Sequence, residues 1–255
     1  MIENMLLPHI SERFRNEEYY REGHLRIINA LPCRRVLGLH LPEMKKIAQE
    51  LCRKDCKGYI RAFEEAEHNA LVYEELLVWG FLINKARCTI EERLAMLTCY
   101  VPVLDNWAVC DSYCANAKWM AKSDKDVLWN FLDGWFASRR EFEVRFAVVA
   151  AMSYFLSEEW IDRVFCRLDA IDFDAIQSEY RTAKGRPKVA QQGTVQGERP
   201  YYVRMAVAWL LATALAKFPD VTRSYVRGGR LPQDVVKMYV RKARESFRTR
   251  NVAAL

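Results

Sequence analysis

Apolar residues recur at the spacing of an α-helix along most of this 255-residue chain. Four such positions follow Leu41 and Pro42: Met44, Ile47, Ala48 and Leu51. Residues three and four apart share one face of a helix, and Pro42 lies in the first turn, where proline is tolerated. No run of alternating polar and apolar residues is long enough to indicate a sheet. The pattern therefore predicts an all-α protein.

Capping signals precede several of the predicted helices. Each signal pairs a hydroxyl with an acidic residue three positions later, the arrangement that satisfies the first amide groups of a helix. The pairs are Thr89 with Glu92, Ser123 with Asp126, and Ser138 with Glu141. The chain has only 10 Gly and 8 Pro, fewer than the many turns of a sheet-rich fold require. Both observations favour short antiparallel helices.

A five-residue motif occurs twice, at 144–148 and at 203–207. In each copy one arginine, Arg145 or Arg204, lies near the start of a long uncharged segment. If about 20 residues of intervening loop are set aside, the copies are roughly 40 residues apart, the length of a HEAT or armadillo repeat. This spacing predicts an α-solenoid of about six HEAT/armadillo-like repeats with a concave face. A compact irregular helical bundle is the alternative.

The segment between the two copies, about 177–200, differs in composition from the rest of the chain. It is rich in Gly, Gln and basic residues, which cannot bury a core. We predict a flexible basic insertion that either folds onto a phosphate backbone or is a solvated loop without a role. Residues 1–255 are otherwise expected to form a single domain.

Composition and charge narrow the class of protein. Hydrophobic residues make up 51% of the chain and charged residues 28%, as in soluble globular proteins. The longest uncharged apolar stretch, 205–216, is too short to span a bilayer, and the N-terminal sequence lacks the features of a signal peptide. We therefore expect a cytoplasmic protein without membrane contact. We also expect it to be a monomer. A net charge of +6 fits a polyanionic partner, although many proteins without one are equally basic.

The eight cysteines and four histidines do not indicate a metal site. No cysteine belongs to a C-x-x-C pair, and the histidines form no spaced ligand set. Two cysteine pairs, 52 with 56 and 110 with 114, have helical i,i+4 spacing that could in principle hold a metal. The simpler interpretation is that the cysteines are small buried residues in a reducing compartment.

The segment 105–111 opens a predicted helix that carries candidate chemistry. At 100° per residue, Trp107, Asp111 and Lys118 share one face, beside a stripe of buried residues. The predicted stripe consists of Cys110, Tyr113, Cys114 and Ala117. A tryptophan and a carboxylate thus stand one turn apart at the margin of the core. A tryptophan packed on a neighbouring helix and an aspartate in a salt bridge would give the same pattern.

Arg145 and Arg204 are isolated charges in apolar segments and therefore need partners. For Arg145 the partner could be a carboxylate, such as that of Asp111 or Glu141, or a phosphate bound by its planar guanidinium. Trp209 lies in the second copy of the helix, where the first copy has Ala150. That asymmetry marks Trp209 as a candidate, although it could also fill a core.

Taken together, the chain resembles the AlkD-type DNA alkylation repair family of HEAT-like-repeat DNA glycosylases. The resemblance rests on five blocks in family order: 37–42, 73–75, 106–111, 141–147 and 201–209. It implies that Asp111 is the catalytic carboxylate, that Trp107 and Trp209 are aromatic walls for the substrate, and that Arg145 contacts a backbone phosphate. It also implies excision of positively charged N3- or N7-alkylated purines from duplex DNA without a metal or organic cofactor.

The chain departs from the family pattern in three places. Trp209 is followed by Leu-Leu-Ala-Thr instead of an Arg-Glu pair, the region 29–31 lacks the expected aromatic residue, and the basic insertion is additional. Six basic residues are expected to contact the DNA backbone: Arg204, Lys118, Arg181, Lys184, Arg186 and Lys188. Two other functions remain open: a non-catalytic binder of distorted or branched DNA, and a helical-repeat scaffold for protein interactions.

Overall fold

A computed structural model describes the backbone of residues 1–183, 186–189 and 200–255 and the side chains of residues 1–180 and 200–255. The chain divides into two compact units, Met1–Ser123 and Asp124–Leu255. The helices of unit 1 are α1 (Glu3–Leu6), α2 (Glu12–Asn16), α3 (Glu18–Ile28), α4 (Leu41–Glu64), α5 (Tyr73–Lys85), α6 (Ile90–Tyr100) and α7 (Trp107–Asn116). Unit 2 contains α8 (Lys125–Phe136), α9 (Glu141–Tyr154), α10 (Ile161–Asp169), β1 (Tyr180–Ala183), β2 (Arg186–Val189), α11 (Tyr201–Lys217), α12 (Pro219–Arg227) and α13 (Gln233–Glu245).

In unit 1, α5 is the central helix. It packs against α4, α6 and α7, and nearly all of its residues are buried. A helix that is buried on nearly every side must be enclosed by its neighbours. Trp79 of α5 stacks on Phe63 at a ring-centroid distance of 5.6 Å and meets Tyr100 edge-on at 5.1 Å. These rings join three helices in one core.

In unit 2, α9 and α11 form the centre. The two helices pack against each other, α8 covers α9, and α12 and α13 cover α11. Both central helices are buried along most of their length, as the long uncharged segments after Arg145 and Arg204 predict. The second copy of the five-residue motif therefore does form a helix equivalent to the first.

Helices dominate the described residues, which confirms the predicted helical fold class. The number of repeats and the concave face stay predictions. The predicted loop at 177–200 is wrong in part, because β1 and β2 pair as antiparallel strands, with Tyr180 opposite Val189. Strands of four residues are too short for an alternating pattern to reveal them. Residues 184–185 and 190–199, including Lys184, lie outside the described residues.

The capping predictions had different outcomes. The capping box of Thr89 and Glu92 is confirmed at the start of α6. The cap of α8 is Asp124, whose carboxylate accepts two backbone N–H groups, so the prediction of Ser123 was wrong by one residue. Ser138 does not cap α9, because that helix begins only at Glu141. The Ser138 hydroxyl instead donates to the Glu143 carboxylate and accepts a hydrogen bond from the Arg140 N–H.

The cysteines are less uniformly buried than predicted. Cys110 and Cys114 are buried on α7, whereas Cys33, Cys99 and Cys166 are exposed. The prediction that all eight fill apolar space was therefore wrong for the exposed three. Among the described residues, no helix is both long and apolar enough to cross a bilayer.

Candidate functional site

In unit 1, the start of α7 is fixed by hydrogen bonds to the end of α3. The Asn106 side chain accepts a hydrogen bond from the Ala108 N–H at 2.8 Å and so caps α7. Its amide nitrogen also donates to the Ile28 carbonyl at 2.9 Å. The Trp107 indole N–H donates to the Ile28 and Ile27 carbonyls at 3.1 and 3.3 Å. Two adjacent side chains thus bind the last carbonyl groups of α3 and set the orientation of the indole.

A buried ion pair holds the segment that precedes α7. The Arg34 guanidinium donates to the Asp105 carboxylate at 2.8 Å and to the carbonyls of His68 and Leu71 at 2.7 and 2.5 Å. Burial raises the pKa of Asp105, and the charge and hydrogen bond of Arg34 oppose that rise. Through Arg34, the backbone that leads into Asn106 is therefore connected to the segment 68–71 of unit 1.

Asp111 lies one turn after Trp107 on α7 and is half-buried. The neighbouring stripe is buried as predicted, because Cys110, Tyr113 and Cys114 face the core. The placement of Lys118 was wrong: α7 ends at Asn116, and Lys118 is an exposed residue of the following 3-10 turn. Ala117 leaves helical backbone geometry at ψ 48°, so the helical face of Trp107 and Asp111 does not continue to Lys118.

In unit 2, a buried glutamate joins the starts of α9 and α11. The Glu141 carboxylate accepts hydrogen bonds from the backbone N–H groups of Tyr202 and Val203 at 2.6 and 3.2 Å and from the Ser178 hydroxyl. The first amide groups of a helix lack partners within the helix, and a carboxylate there also stabilises the helix dipole. Burial raises the pKa of Glu141 to about 7 against the opposing effect of these donors and of Arg145.

Arg145 lies beside this contact. Its side chain is buried, with the residue only 3% exposed, and its guanidinium donates to the Tyr202 carbonyl at 2.5 Å. The guanidinium carbon is 5.8 Å from the centroid of the Tyr202 ring. Arg145 therefore binds the first turn of α11, and its contact with a DNA phosphate stays a prediction.

Arg204, the equivalent of Arg145 in the second copy, has other partners. Its guanidinium donates to both oxygens of Asp234 at 2.9 and 3.1 Å and approaches Asp174 at 3.5 Å. The guanidinium carbon lies 4.7 Å from the centroid of the Phe173 ring. These contacts account for its burial structurally, and the expected phosphate contact stays a prediction.

Trp209 lies on α11 one turn and a half beyond Arg204 and is 38% exposed. An exposed indole on a buried helix is unusual, because tryptophan is among the most strongly buried residue types on average. The side chain does not serve as core filling, which was the structural alternative from the sequence. The convergence of Trp107, Asp111, Arg145 and Trp209 on one surface stays a prediction.

A second buried glutamate, Glu74 of α5, makes an equivalent contact in unit 1. Its carboxylate accepts hydrogen bonds from the N–H groups of Leu37, Gly38 and Leu39, the shortest at 2.8 Å. Gly38 has φ +94°, and a Cβ there would collide with the ring of Phe14. Burial raises the pKa of Glu74, and the three amides oppose the rise. The segments 37–42 and 73–75, two of the blocks on which the family resemblance rests, are thus in direct contact.

The sequence interpretation missed the roles of Asn106, Glu74 and Glu141. Asparagine directly before a helical segment is a preferred N-cap, so Asn106 could have been identified. Glu74 and Glu141 each lie close to another acidic residue, Glu75 or Glu143, so the sequence does not indicate which backbone amides each of them meets. The side chains of Arg181, Arg186 and Lys188 are not described, and Lys184 lies outside the described residues. No group of three or more His, Cys, Asp or Glu residues in the described part could hold a metal ion.

Comparison with known proteins gives one match. The family model of the DNA alkylation repair enzyme matches residues 20–173, which include most of α3 and all of α7 and α9. No curated protein and no solved structure matches the chain.

Proposed function

The chain belongs to the DNA alkylation repair enzyme family, and from this premise we propose that it is a DNA glycosylase for alkylated purines. The substrate is duplex DNA that carries a positively charged N3- or N7-alkylated purine, and the reaction hydrolyses the N-glycosidic bond. The supporting observation is the arrangement on α7, where an indole held by two hydrogen bonds precedes a half-buried carboxylate by one turn.

The residue types match the chemistry of this reaction. Alkylation at N3 or N7 gives the purine a positive charge and makes it a good leaving group, so little acid catalysis is needed. Positive charge develops on the deoxyribose as the bond breaks. A carboxylate held in place, here Asp111, stabilises that charge and orients the attacking water. Asp111 is accordingly the proposed catalytic residue.

The aromatic side chains fit the same substrate. An indole presents a negative face, which attracts a cationic base or sugar. Trp107 is fixed by its hydrogen bonds to the end of α3, so its ring keeps one orientation. Trp209 is exposed on α11 and offers a second face. Both are proposed to contact the substrate, and Arg145 is proposed to contact the DNA backbone.

The test is the release of free 7-methylguanine from methylated duplex DNA in single-turnover reactions normalised to folded protein. Asp111→Asn should keep the fold and most DNA affinity, because the side chain keeps its shape and loses a negative charge near phosphates. Its rate should fall about 10²–10³-fold, the usual effect of removing one preorganised electrostatic group. Residual release is expected because the alkylated base is itself labile.

Two matched controls separate chemistry from stability. Asp133→Asn removes a carboxylate that binds Arg167 on α10 at 2.7 Å and should leave the rate per folded molecule unchanged. Trp119→Ala removes a second half-buried indole, whose N–H binds the Asn84 side chain, and should lower stability alone. Trp107→Ala, in contrast, should reduce the rate and the preference for alkylated bases.

A wild-type rate for Asp111→Asn would remove Asp111 from the mechanism. If the wild-type protein binds DNA without releasing any base, the chain is a non-catalytic DNA binder. Absence of salt-sensitive DNA affinity would instead favour a scaffold for protein interactions.

A further inference from the structure

The C-terminal part of unit 2 concentrates the positive charge of the chain. Residues 233–255 contain six basic and two acidic side chains, a net charge of +4, while the whole chain carries +6. Five of the six basic residues are exposed, and together they are named the C-terminal basic surface here: Lys237, Arg241, Arg244, Arg248 and Arg250. This surface lies outside the residues that the family model matches.

Three members of the surface form a stripe along α13. Lys237, Arg241 and Arg244 are spaced by four and three residues, so they share one face of the helix. The buried residues of α13 lie on another face, where the helix packs against α11: Val235, Tyr239 and Ala243. The core therefore fixes the helix so that its basic stripe points outward.

Among the described residues, the two acidic side chains of 233–255 do not neutralise this stripe. Glu245 lies 3.8 Å from Arg241 and 3.4 Å from Lys242, and exposed pairs of this kind contribute little. Asp234, the second of the two acidic residues in 233–255, is bound by Arg204 of α11. Cations near the C-terminus of a helix also stabilise its dipole, but that effect is confined to the last turn and does not extend to Lys237.

An exposed aromatic ring follows the stripe. Phe247 is 81% exposed, and the guanidinium carbon of Arg250 lies 4.7 Å from its ring centroid. Basic side chains interleaved with an aromatic ring are typical of surfaces that follow a nucleic-acid backbone and meet bases or sugars.

We propose that the C-terminal basic surface binds the phosphate backbone of DNA. The proposal rests on the proposed function only for the identity of the polyanion. The surface adds sequence-independent affinity for undamaged duplex DNA, because lysine and arginine contacts with phosphate release condensed counterions. Its contribution is separate from the recognition of the alkylated base, which is assigned to α7 and α11.

The experiment measures binding of the full chain to undamaged duplex DNA by fluorescence anisotropy across a salt series. The test variant is Lys237→Gln/Arg241→Gln/Arg244→Gln. Its affinity should fall about tenfold or more at low salt, and the slope of log K against log salt should decrease by about one for each lost phosphate contact. Circular dichroism and thermal unfolding check that the surface substitutions leave the fold intact.

The matched control is Lys46→Gln/Arg53→Gln/Lys54→Gln on α4. It removes the same charge from exposed positions of a helical segment, 41–65, whose six basic residues are balanced by five acidic ones. The control should keep the wild-type affinity and salt slope. An equal loss in both variants would overturn the proposal, because net charge alone would then explain the binding.

Two further outcomes would overturn the proposal. One is unchanged affinity of the α13 variant. The other is wild-type binding to vesicles of phosphatidylserine and phosphatidylcholine without binding to DNA, since an amphipathic basic helix also suits an anionic membrane surface. Release of 7-methylguanine, measured at saturating protein, is independent of these outcomes. Loss of DNA affinity on α13 substitution in a protein that releases no base would support this surface and contradict the glycosylase.

Discussion

The two units use the same contact to fix different parts of the chain. Each central helix has a buried glutamate in its first turn, Glu74 in α5 and Glu141 in α9, which accepts hydrogen bonds from backbone amides of another segment. In unit 1 the amides belong to the loop that leads into α4. In unit 2 they belong to the first turn of α11, the helix that carries Trp209.

The two units differ in the groups that hold their candidate side chains, Trp107 in unit 1 and Trp209 in unit 2. In unit 1, Trp107 is positioned by neutral groups, its own indole N–H and the amide of Asn106. In unit 2, the start of α11 is held by Glu141, whose pKa is raised to about 7. The geometry around Trp107 should therefore be insensitive to pH near neutrality, whereas the start of α11 should respond to it.

The largest expected effect is on the Glu141 contact. At pH 5, Glu141→Ala should lower the free energy of unfolding by about 3–4 kcal/mol, because two buried amides and the Ser178 hydroxyl lose their acceptor. Chemical denaturation measures the change. Glu143→Ala on the same helix, whose partners Ser138 and Arg140 lie closer to the surface, should cost clearly less. Equal losses of stability in the two variants would mean that the buried Glu141 contact contributes no more than the more exposed contact of Glu143.

The pH dependence tests the same carboxyl group. Its pKa is about 7 in the folded chain and near 4.5 when unfolded, so the folded state binds more protons between these values. The contribution of Glu141 to stability is therefore complete below about pH 4.5 and decreases by about 3 kcal/mol as the pH rises to about 7. The difference between wild type and Glu141→Gln, measured by denaturation from pH 4.5 to 8, should show this slope. A constant difference would refute the raised pKa.

Glu74→Ala tests the equivalent contact in unit 1. The substitution should lower the free energy of unfolding by about 2–3 kcal/mol, because three buried amides lose their acceptor. Hydrogen exchange should increase at Leu37, Gly38 and Leu39 and remain unchanged at Tyr202 and Val203. Increased exchange at the start of α11 would show that the two contacts are not independent.

The smallest effect distinguishes the two tryptophans. Trp107→Phe should cost about 1 kcal/mol of stability or somewhat more, since an aromatic ring remains but the pyrrole part of the indole is lost together with its N–H contacts to α3. Trp209→Phe should cost less than about 0.5 kcal/mol, as is usual for exposed positions. Thermal unfolding of both variants provides the comparison. Equal losses would contradict the conclusion that hydrogen bonds hold the Trp107 indole while the Trp209 indole is exposed.

The sequence by itself determined the helical class, the buried stripe of α7 and the pair of equivalent helices α9 and α11. Each follows from the period of the apolar residues, which is a local property of the chain. It also indicated the family through blocks whose order could be read directly. The positions of Trp107 and Asp111 one turn apart required only the geometry of a helix.

Only the tertiary structure decided which partners the buried charges have. Arg145 and Arg204 occupy the same position of a repeated motif, yet one binds a backbone carbonyl and the other a carboxylate of α13. Their partners lie 57 and 30 residues away in the chain, so no local pattern specifies them. A buried ionic group must find a partner, but packing decides which one it meets.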